Sequence, residues 1–306
     1  MKKWVLKAII QKTISWLPYS FELNHFFQKN VTKGVLLTED HFGLKFKHAC
    51  DHIQTYNKYR SNTSEAKVLE LGSGWYPVVP ISLYLAGFDQ IISVDVSALM
   101  TKETILETID LFILLQEKGE LTFPEGGMVN ARWKQLLDIK EHSAQYNRAQ
   151  ILERIQLELI VGDARKLNLE SNSFDYICSN NTYEHIYPTI LKDIVKEFKR
   201  VLKPSGLMNH FIDMTDHFAH FDKSINHYNF LRFSDKAWKR IDNSIQPQSR
   251  SRLKDYKEMY KNLDIPIIEE IIWPYDIQLL DKISLDQKWD GYSKTELGII
   301  HAYLVS

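Results

Sequence analysis

Short apolar runs alternate with helical patterns along most of the chain, and their order predicts an α/β protein. Apolar runs bounded by turn residues predict strands at 67–72, 91–96, 156–164, 174–181 and 206–213. Apolar positions at helical spacing predict helices at 43–60, 77–87, 98–118, 131–156, 188–203, 234–243 and 250–262. Strands that alternate with helices favour a parallel sheet with helices on both faces.

The chain ends in two further apolar runs, PIIEEIIWPY at 266–275 and ELGIIHAYLVS at 296–306. A polar segment at 276–295 separates them, so they predict a terminal pair of strands. Residues 1–60 are mostly helical and predict an N-terminal cover, followed by one domain at 61–306. Two connections in that domain are too long for a plain crossover, and they predict a helical insertion at 98–155 and a helical cap at 215–262.

Composition limits the classes of partner. The 38 basic and 39 acidic residues give a net charge of -1, which offers no bulk attraction to nucleic acid or anionic lipid. The two cysteines, Cys50 and Cys178, show no metal or disulfide spacing, so we predict reduced thiols in a cytoplasmic protein. Lys7 and Lys12 interrupt the apolar N-terminus, which predicts a helix packed on the protein. Weak peripheral contact with the inner membrane face is the lesser alternative.

The stretch KVLELGSG at 67–74 carries the first sign of chemistry. Gly72 and Gly74 allow the backbone to approach a ligand where a side chain would clash. Asp95 ends the second predicted strand, where a carboxylate accepts ribose hydroxyls, and Asp163 ends the third, where it accepts from an adenine amino group. Glu70 either orients the turn or meets the ammonium group of an amino-acid-like ligand. Each feature alone is weak, but their shared position at strand ends predicts a binding site for an adenosine cofactor.

These residues resemble the class I S-adenosylmethionine-dependent methyltransferases from Lys67 to Asp213. ELGSG matches their E/D-x-G-x-G signature, and FDYICSNNTYEHI and EFKRVLKPSG match their fourth-strand motif and the turn before their fifth strand. The resemblance implies a Rossmann-like, mostly parallel seven-stranded sheet with an antiparallel last strand, and S-adenosyl-L-methionine as cofactor. It implies a cofactor site made of Glu70, Gly72, Ser73, Gly74, Asp95, Val96, Asp163, Ala164 and Asn180. Tyr76 stands where many members have a third glycine.

A nicotinamide-dependent oxidoreductase is the alternative for this half of the chain. Its G-x-G-x-x-G turn requires glycine at position 77, where Pro77 stands, and no Tyr-x-x-x-Lys pair follows the fourth strand in a suitable place. The methyltransferase interpretation is therefore preferred. Methylation of a nucleic-acid base is disfavoured because NNTY replaces the Asn-Pro-Pro-Tyr type of motif after the fourth strand.

Acidic and histidine side chains crowd the segment that follows the fifth predicted strand. The members of this crowd are Asp213, Asp216, His217, His220, Asp222 and His227. A histidine beside a carboxylate can accept a proton near neutral pH, so we predict His217 as the base, with Asp216 or Asp213 as its partner. His185 is a second candidate base. A metal ranks lower because the spacing matches no known metal loop, and we predict no metal ligand.

A finer resemblance involves DHFAHFD, YNFLRF and SRLKDY, which are similar to segments of bacterial methyltransferases linked to cell-surface glycans. It implies a sugar hydroxyl as methyl acceptor, with Arg232, Arg250 and Arg252 as candidates to hold a phosphate. Surface solvation is the default expectation for these arginines. We therefore predict O-methylation of a small molecule or glycan precursor. The alternatives are a catalytically silent cofactor-binding or scaffold protein and a methyltransferase that acts on a macromolecule.

Overall fold

The computed structural model describes residues 2–18, 23, 36–60, 63–273 and 275–306. Part of the predicted N-terminal cover, at 19–22 and 24–35, therefore lies outside the described residues. No helix among those described has the length and apolar character needed to cross a membrane.

Seven strands among the described residues form one sheet. They are β1 (Lys67–Leu71), β2 (Gln90–Asp95), β3 (Leu157–Val161), β4 (Phe174–Asn180), β5 (Leu202–Asp213), β6 (Glu269–Ile272) and β7 (His301–Val305). Their order is β3-β2-β1-β4-β5-β7-β6. Strand β1 pairs in parallel with β2 and β4, β2 pairs in parallel with β3, and β6 is antiparallel to β7. The predicted fold class, a mostly parallel seven-stranded Rossmann-like sheet with antiparallel strands at its end, is confirmed.

Helices occupy most of the connections. In the described part of the chain, the α-helices are α1 (Lys3–Ile14), α2 (Glu39–Tyr59), α3 (Val78–Leu85), α4 (Lys102–Glu117), α5 (Asn130–Glu141), α6 (Arg148–Arg154), α7 (Pro188–Val201), α8 (Phe218–Phe221), α9 (Asp235–Ile241), α10 (Leu253–Asn262), α11 (Gln278–Asp281) and α12 (Lys294–Gly298). Short 3₁₀ helices span Tyr183–His185, Asn229–Arg232 and Gln287–Trp289.

The chain divides into two compact units. The first unit comprises Met1–Leu36, Asn181–Asp193 and Phe211–Ser306, and the second unit comprises Leu37–Asn180 and Ile194–His210. The predicted division into 1–60 and 61–306, with an insertion at 98–155 and a cap at 215–262, stays a prediction.

The core of the second unit follows from the strand sequences. Val68 and Leu69 of β1, Ile91 of β2 and Ile177 of β4 are almost completely buried. Near-continuous apolar strands of this kind are typical of parallel sheets covered on both faces. Helix α2 begins at a cap in which Thr38 Oγ1 accepts a hydrogen bond from the His41 amide, at 3.2 Å.

The core of the first unit is aromatic and includes the N-terminal helix. Trp4 of α1 is buried, its ring centroid lies 5.8 Å from that of Phe218, and its backbone amide donates to Asp222 at 3.0 Å. Lys12 Nζ donates to the Asp242 carbonyl at 2.6 Å. Helix α1 therefore packs within this unit, as the broken apolar pattern predicted, although Trp16 at its end is 74% exposed.

The structure corrects the boundaries of two predicted helices. The helix predicted at 131–156 is two helices, α5 and α6, because Asn147 and Gln150 form a reciprocal cap that starts α6. The helix predicted at 188–203 ends at Val201, and β5 begins at Leu202 rather than at Gly206. A proline near the start of a strand is tolerated, so Pro204 ends the helix without delaying the strand.

The terminal strands are shorter than predicted. The run at 296–306 begins as helix α12, because Ser293 and Glu296 form a reciprocal cap, and strand β7 starts only at His301. Strand β6 spans Glu269–Ile272 instead of 266–275. The apolar run at 296–306 is therefore divided between a helical turn and a strand.

Candidate functional site

The loop at 72–74, which we call the glycine loop, follows β1 in a backbone conformation that suits glycine. Gly72 and Gly74 have φ angles of 90° and 58°, which side chains rarely tolerate. The Gly72 amide donates to the carbonyl of Val94 in β2 at 2.8 Å. The turn is thus fixed against the neighbouring strand.

Asp95 at the end of β2 organises this loop. Its Oδ2 accepts from the Gly74 amide at 3.2 Å and lies 3.4 Å from Ser73 Oγ, while its Oδ1 accepts from the Ser97 amide at 3.1 Å. A carboxylate has about four acceptor positions, so Asp95 retains capacity for further donors. The next residue, Val96, exposes 74% of its surface. An exposed valine beside an acidic strand end offers an apolar contact to a ligand.

Glu70 lies on β1 just before the loop. It is only 4% exposed, and its Oε2 accepts from Ser93 Oγ at 2.6 Å. Burial raises the pKa of Glu70 to about 7, while the Ser93 hydrogen bond and the charge of Lys45 oppose that rise. Glu70 therefore changes protonation near neutral pH and can respond to a nearby cationic group.

Asp163 follows β3 and is already paired. Its Oδ1 accepts from Arg165 Nε at 2.9 Å, and its Oδ2 accepts from an Arg165 terminal nitrogen at 2.6 Å. The Arg165 hydrogen bonds lower the pKa of Asp163 to about 2. An adenine amino group at this carboxylate would share it with Arg165. Ala164 beside it is buried.

Asn180 at the end of β4 is held by a residue that the sequence did not single out. His52 of α2 places Nε2 at 3.0 Å from Asn180 Oδ1 and Nδ1 at 2.9 Å from the Tyr176 hydroxyl. Burial lowers the pKa of His52 to about 4, so its ring is neutral at pH 7. The hydrogen bond to the Asn180 oxygen makes His52 a positioning residue.

A second group of functional candidates lies in the first unit, around Asp213 at the end of β5. Asp213 Oδ2 lies 3.6 Å from His217 Nε2, and its Oδ1 lies 3.3 Å from His301 Nε2 and accepts from the Thr215 amide at 2.9 Å. Burial opposes ionisation of Asp213, but His217 and His301 outweigh it and hold the pKa of this carboxyl well below its ordinary value. His301, on the last strand, was not among the predicted site residues.

Asp216 has a different role. Its carboxylate accepts from the Phe218 amide and from Asn229 Nδ2, each at 2.9 Å. Burial raises the pKa of Asp216 to about 6. Of the two partners that the sequence left open for His217, the geometry favours Asp213, while Asp216 fixes the fold of its own loop.

His185 and its neighbour Glu184 complete this group, which we call the histidine cluster: Glu184, His185, Asp213 and His217. The rings of His185 and His217 have centroids 4.9 Å apart. His185 Nδ1 donates to the Pro247 carbonyl at 2.8 Å. Burial, followed by the nearby His217, lowers the pKa of His185 to about 4.

Glu184 is the residue that sequence reasoning passed over. It is 1% exposed, and no donor in the described part of the chain completes a hydrogen bond to either carboxylate oxygen. Burial raises the pKa of Glu184 well above its ordinary value, and the repulsion of Asp213 adds to the rise. The nearby Asn181 side chain and Asp213 backbone act in the opposite direction. The only signal in the sequence was an acidic residue directly before His185 in the loop after a strand.

Two of the arginines considered as phosphate ligands are buried, so their predicted surface solvation is wrong. Arg252 is 0% exposed and donates to the Met214 and Leu297 carbonyls at 2.7 and 2.9 Å. Arg250 pairs with Asp235 and packs over the Trp238 ring at 5.3 Å. Arg232 is exposed. Arg250 and Arg252 therefore hold the first unit together.

The larger surface hollow is not the candidate site. Its volume is about 360 Å³, and it is lined by residues at the amino ends of β2 and β3, including Gln90 and Leu157. Open α/β sheets bind ligands at the carboxyl ends of their strands, where Asp95 and Asp163 stand. His217 lines a much smaller cavity of about 20 Å³ within the first unit.

Comparison with known families finds a methyltransferase domain over residues 134–209. Comparison with curated proteins finds no match. The matched segment covers about a quarter of the chain, and it agrees with the predicted cofactor, S-adenosyl-L-methionine. Nothing found supports the link to cell-surface glycans.

Comparison with solved structures finds several matches of low sequence identity. A protein from Pyrococcus horikoshii is 24% identical with a TM-score of 0.32, covering 55% of this chain and 58% of its own length. A SAM-dependent methyltransferase from Methanosarcina mazei is 13% identical with a TM-score of 0.44, covering 82% of this chain and 95% of its own. Geranyl diphosphate C-methyltransferase from Streptomyces coelicolor is 10% identical with a TM-score of 0.46, covering 83% and 77%. These values transfer no substrate to this chain.

Proposed function

We propose that this chain transfers the methyl group of S-adenosylmethionine to an oxygen of a small molecule or glycan precursor. The observation that carries the proposal is the glycine loop of the second unit, which Asp95 holds through the Gly74 amide at 3.2 Å. The methyltransferase-domain match supports the same class of reaction.

The cofactor residues have distinct roles in this proposal. Gly72, Ser73 and Gly74 let the backbone approach the amino-acid end of the cofactor, and Asp95 accepts from the ribose hydroxyls. Glu70 would hold the ammonium group of the bound cofactor, and this positive charge would favour the ionised form of the Glu70 carboxyl. A group with a pKa of about 7 can make this change at little cost near neutral pH.

The remaining predicted cofactor residues are assigned to the adenine ring and to the methionine part of the cofactor. Val96 and Ala164 supply apolar contacts to adenine, and Asp163 accepts from its amino group while it shares its charge with Arg165. Asn180 contacts the methionine part in this proposal. His52 orients the Asn180 side chain, with His52 Nε2 at 3.0 Å from Asn180 Oδ1.

The proposed reaction is an in-line displacement at carbon. The acceptor hydroxyl oxygen forms a bond to the methyl carbon while the bond from that carbon to the sulfonium sulfur breaks, leaving S-adenosylhomocysteine as a neutral thioether. The hydroxyl proton passes to His217, whose Nε2 lies 3.6 Å from the Asp213 carboxylate. The ionised Asp213 stabilises the imidazolium that results.

Transfer of a labelled methyl group tests the proposal. The chain is incubated with methyl-labelled S-adenosylmethionine and pools of hydroxyl-bearing small molecules and sugar precursors. We expect label in an ether product, and none when Asp95→Ala replaces the wild type. Asp193→Ala, the same change at an exposed helix position, is the matched control and is expected to retain transfer. Label on carbon or nitrogen only, or no transfer with any pool, contradicts the proposed O-methylation.

A further inference from the structure

The Glu184 carboxylate has an unusual position for an acidic group. It is 1% exposed, and no hydrogen bond of good geometry reaches either oxygen from the described residues, although the Asn181 side chain and the Asp213 backbone lie near enough to lower its pKa. A buried carboxylate without partners is costly, and such groups are usually hydrogen-bonded, paired or bound to a metal. Its backbone is nevertheless well fixed, because the Glu184 carbonyl accepts from the Ser249 amide at 2.7 Å. The chain thus holds this carboxylate in place without satisfying it.

Two imidazoles lie beside this carboxylate. One donor atom from each of Glu184, His185 and His217 can be chosen so that all three lie within 4.8 Å of one another. The three residues come from two separate segments of the first unit, the 3₁₀ helix Tyr183–His185 and the residue directly before α8. Their meeting is therefore a product of tertiary folding.

The hydrogen bond of His185 prepares its other nitrogen for a ligand. A carbonyl can only accept, so the 2.8 Å contact to Pro247 requires the proton to be on Nδ1. The neutral ring then carries its lone pair on Nε2. Metal-bound histidines commonly donate their second nitrogen to a backbone carbonyl or a carboxylate in this way. The Asp213 carboxylate, 3.6 Å from His217 Nε2, is a neighbour of the second type.

We propose that Glu184, His185 and His217 bind one divalent transition-metal cation of the zinc type. Two imidazoles and one carboxylate are a donor set that suits Zn²⁺, whereas Mg²⁺ and Ca²⁺ prefer oxygen ligands. The unpartnered Glu184 oxygens gain a partner, and a fourth coordination position stays open for water or a hydroxyl. The inference goes beyond methyl transfer, since it concerns cation binding by the first unit.

The spacing of the three ligands requires a small adjustment. Ligand atoms around tetrahedral zinc are about 3.3 Å apart, as follows from metal–ligand distances of about 2.0–2.1 Å. The donor atoms here lie within 4.8 Å, so side-chain rotations draw them together when the cation binds.

Cation binding changes the role of His217 in the proposed reaction. A ring nitrogen that coordinates the metal cannot accept a proton, so His217 becomes a ligand. A hydroxyl bound at the open position is acidified by the cation, and its proton leaves to solvent water. The proton balance of the methyl transfer is the same by either route.

Direct titration with Zn²⁺ tests the inference. The full chain is freed of metal by chelator dialysis and titrated with Zn²⁺ by calorimetry. One equivalent is expected to bind with micromolar or tighter affinity, and Mg²⁺ at the same concentration is expected not to bind. Glu184→Gln preserves side-chain size but removes the charge, and it is expected to weaken Zn²⁺ binding by tenfold or more. His185→Gln should weaken it similarly.

His220→Gln is the matched control. Its ring centroid lies 5.5 Å from that of His217, but its Nε2 faces Thr215 Oγ1 at 3.1 Å and it is not among the three ligands. This variant is expected to bind Zn²⁺ like the wild type. The inference is overturned if the wild type takes up no Zn²⁺ or Co²⁺, if Glu184→Gln binds Zn²⁺ as the wild type does, or if Mg²⁺ binds more tightly than Zn²⁺.

Two further measurements distinguish a loss of cation binding from a loss of folding or of cofactor binding. Thermal unfolding of each variant without metal shows whether it is folded, and Zn²⁺ is expected to raise the melting temperature of the wild type but not that of folded Glu184→Gln. S-adenosylhomocysteine binding is measured on the same metal-free samples. Zn²⁺ binding without cofactor binding would refute the proposed function and leave the metal inference standing, and the converse result would do the opposite.

Discussion

The glycine loop and the histidine cluster differ in how their buried carboxylates are hydrogen-bonded. Glu70 in the second unit is 4% exposed and accepts a 2.6 Å hydrogen bond from Ser93. Glu184 in the first unit is 1% exposed, and no described residue completes a hydrogen bond of good geometry to its carboxylate. Both carboxyls have raised pKa values because both are buried. The difference teaches that the Glu70 carboxylate is satisfied by its own chain, whereas the Glu184 carboxylate of the histidine cluster is not.

The acidic residues beside these two carboxylates follow the same contrast. Asp95 interacts with three donors, the Gly74 amide and Ser73 Oγ of the glycine loop and the amide of Ser97 two residues further along. Asp213 is surrounded by imidazoles that donate only in suitable protonation states. The glycine loop is thus a preorganised binding surface, and the histidine cluster is a site whose protonation or metal content decides its chemistry.

The largest predicted effect concerns the pH dependence of Glu70. Its folded pKa of about 7 exceeds the ordinary value of 4.5, so the folded chain holds this proton more tightly than the unfolded chain. Its contribution to stability is fully present below about pH 4.5 and is lost as the pH rises through 7. The linkage amounts to about 3 kcal/mol. Glu70→Gln should remove this pH-dependent part.

Urea unfolding at pH 4.5, 6 and 8 measures this effect in the wild type and in Glu70→Gln. Glu117→Gln, at an exposed position in the same unit, is the control and should follow the wild type. Parallel pH curves for wild type and Glu70→Gln would mean that the Ser93 hydrogen bond offsets burial completely.

The next effect concerns the histidine cluster. His217→Ala should lower turnover by ~10²-fold or more. The variant lacks either the base that deprotonates the acceptor hydroxyl or a ligand of the cation that acidifies it. The affinity for S-adenosylhomocysteine should stay unchanged, because the proposed cofactor residues belong to the other unit. Steady-state kinetics with calorimetry measures both quantities, with His220→Ala as control. Unchanged turnover removes His217 from the chemistry.

A smaller effect is expected in the glycine loop itself. Gly74 has a φ of 58°, and no heavy atom lies within 4 Å of the position that an added Cβ would take, so Gly74→Ala introduces backbone strain without a clash. Strain of this kind costs roughly 1–2 kcal/mol. Cofactor affinity should fall by about tenfold. Gly43→Ala, at a helical glycine with equally open surroundings, is the control, and equal effects of the two changes would argue against a strained loop.

The smallest effect concerns Arg165, the partner of Asp163 at 2.6 Å. Arg165→Ala frees a carboxylate that is proposed to accept from adenine. Because the pair is exposed, its loss should change cofactor affinity by less than about fivefold, in the direction of tighter binding. A large loss of affinity, measured by the same calorimetric titration, would show that Arg165 itself holds the cofactor.

The glycine loop was predictable from sequence because its residues obey a local rule. Gly72, Gly74 and Asp95 stand where apolar runs end, and parallel strands bring such ends to one edge of a sheet. The sheet class followed for the same reason. Local capping explains the errors, since the Asn147–Gln150 cap splits one predicted helix and the Ser293–Glu296 cap shortens one strand.

The histidine cluster was only partly predictable. The crowd of acidic and histidine residues after β5 was visible, but the choice between Asp213 and Asp216 depends on which carboxylate the loop uses for its own hydrogen bonds. The importance of Glu184 lies in burial without a partner, which no spacing in the sequence reveals. The burial of Arg252 against backbone carbonyls is likewise a product of tertiary packing.

The most direct test of the account is calorimetric titration of the intact, folded chain with S-adenosylhomocysteine. We predict saturable binding at one site and its loss in Asp95→Ala, since this residue orders the glycine loop and is proposed to bind the ribose. Asp193→Ala should bind as the wild type does. Failure of the folded wild-type chain to bind the ligand would contradict the cofactor assignment.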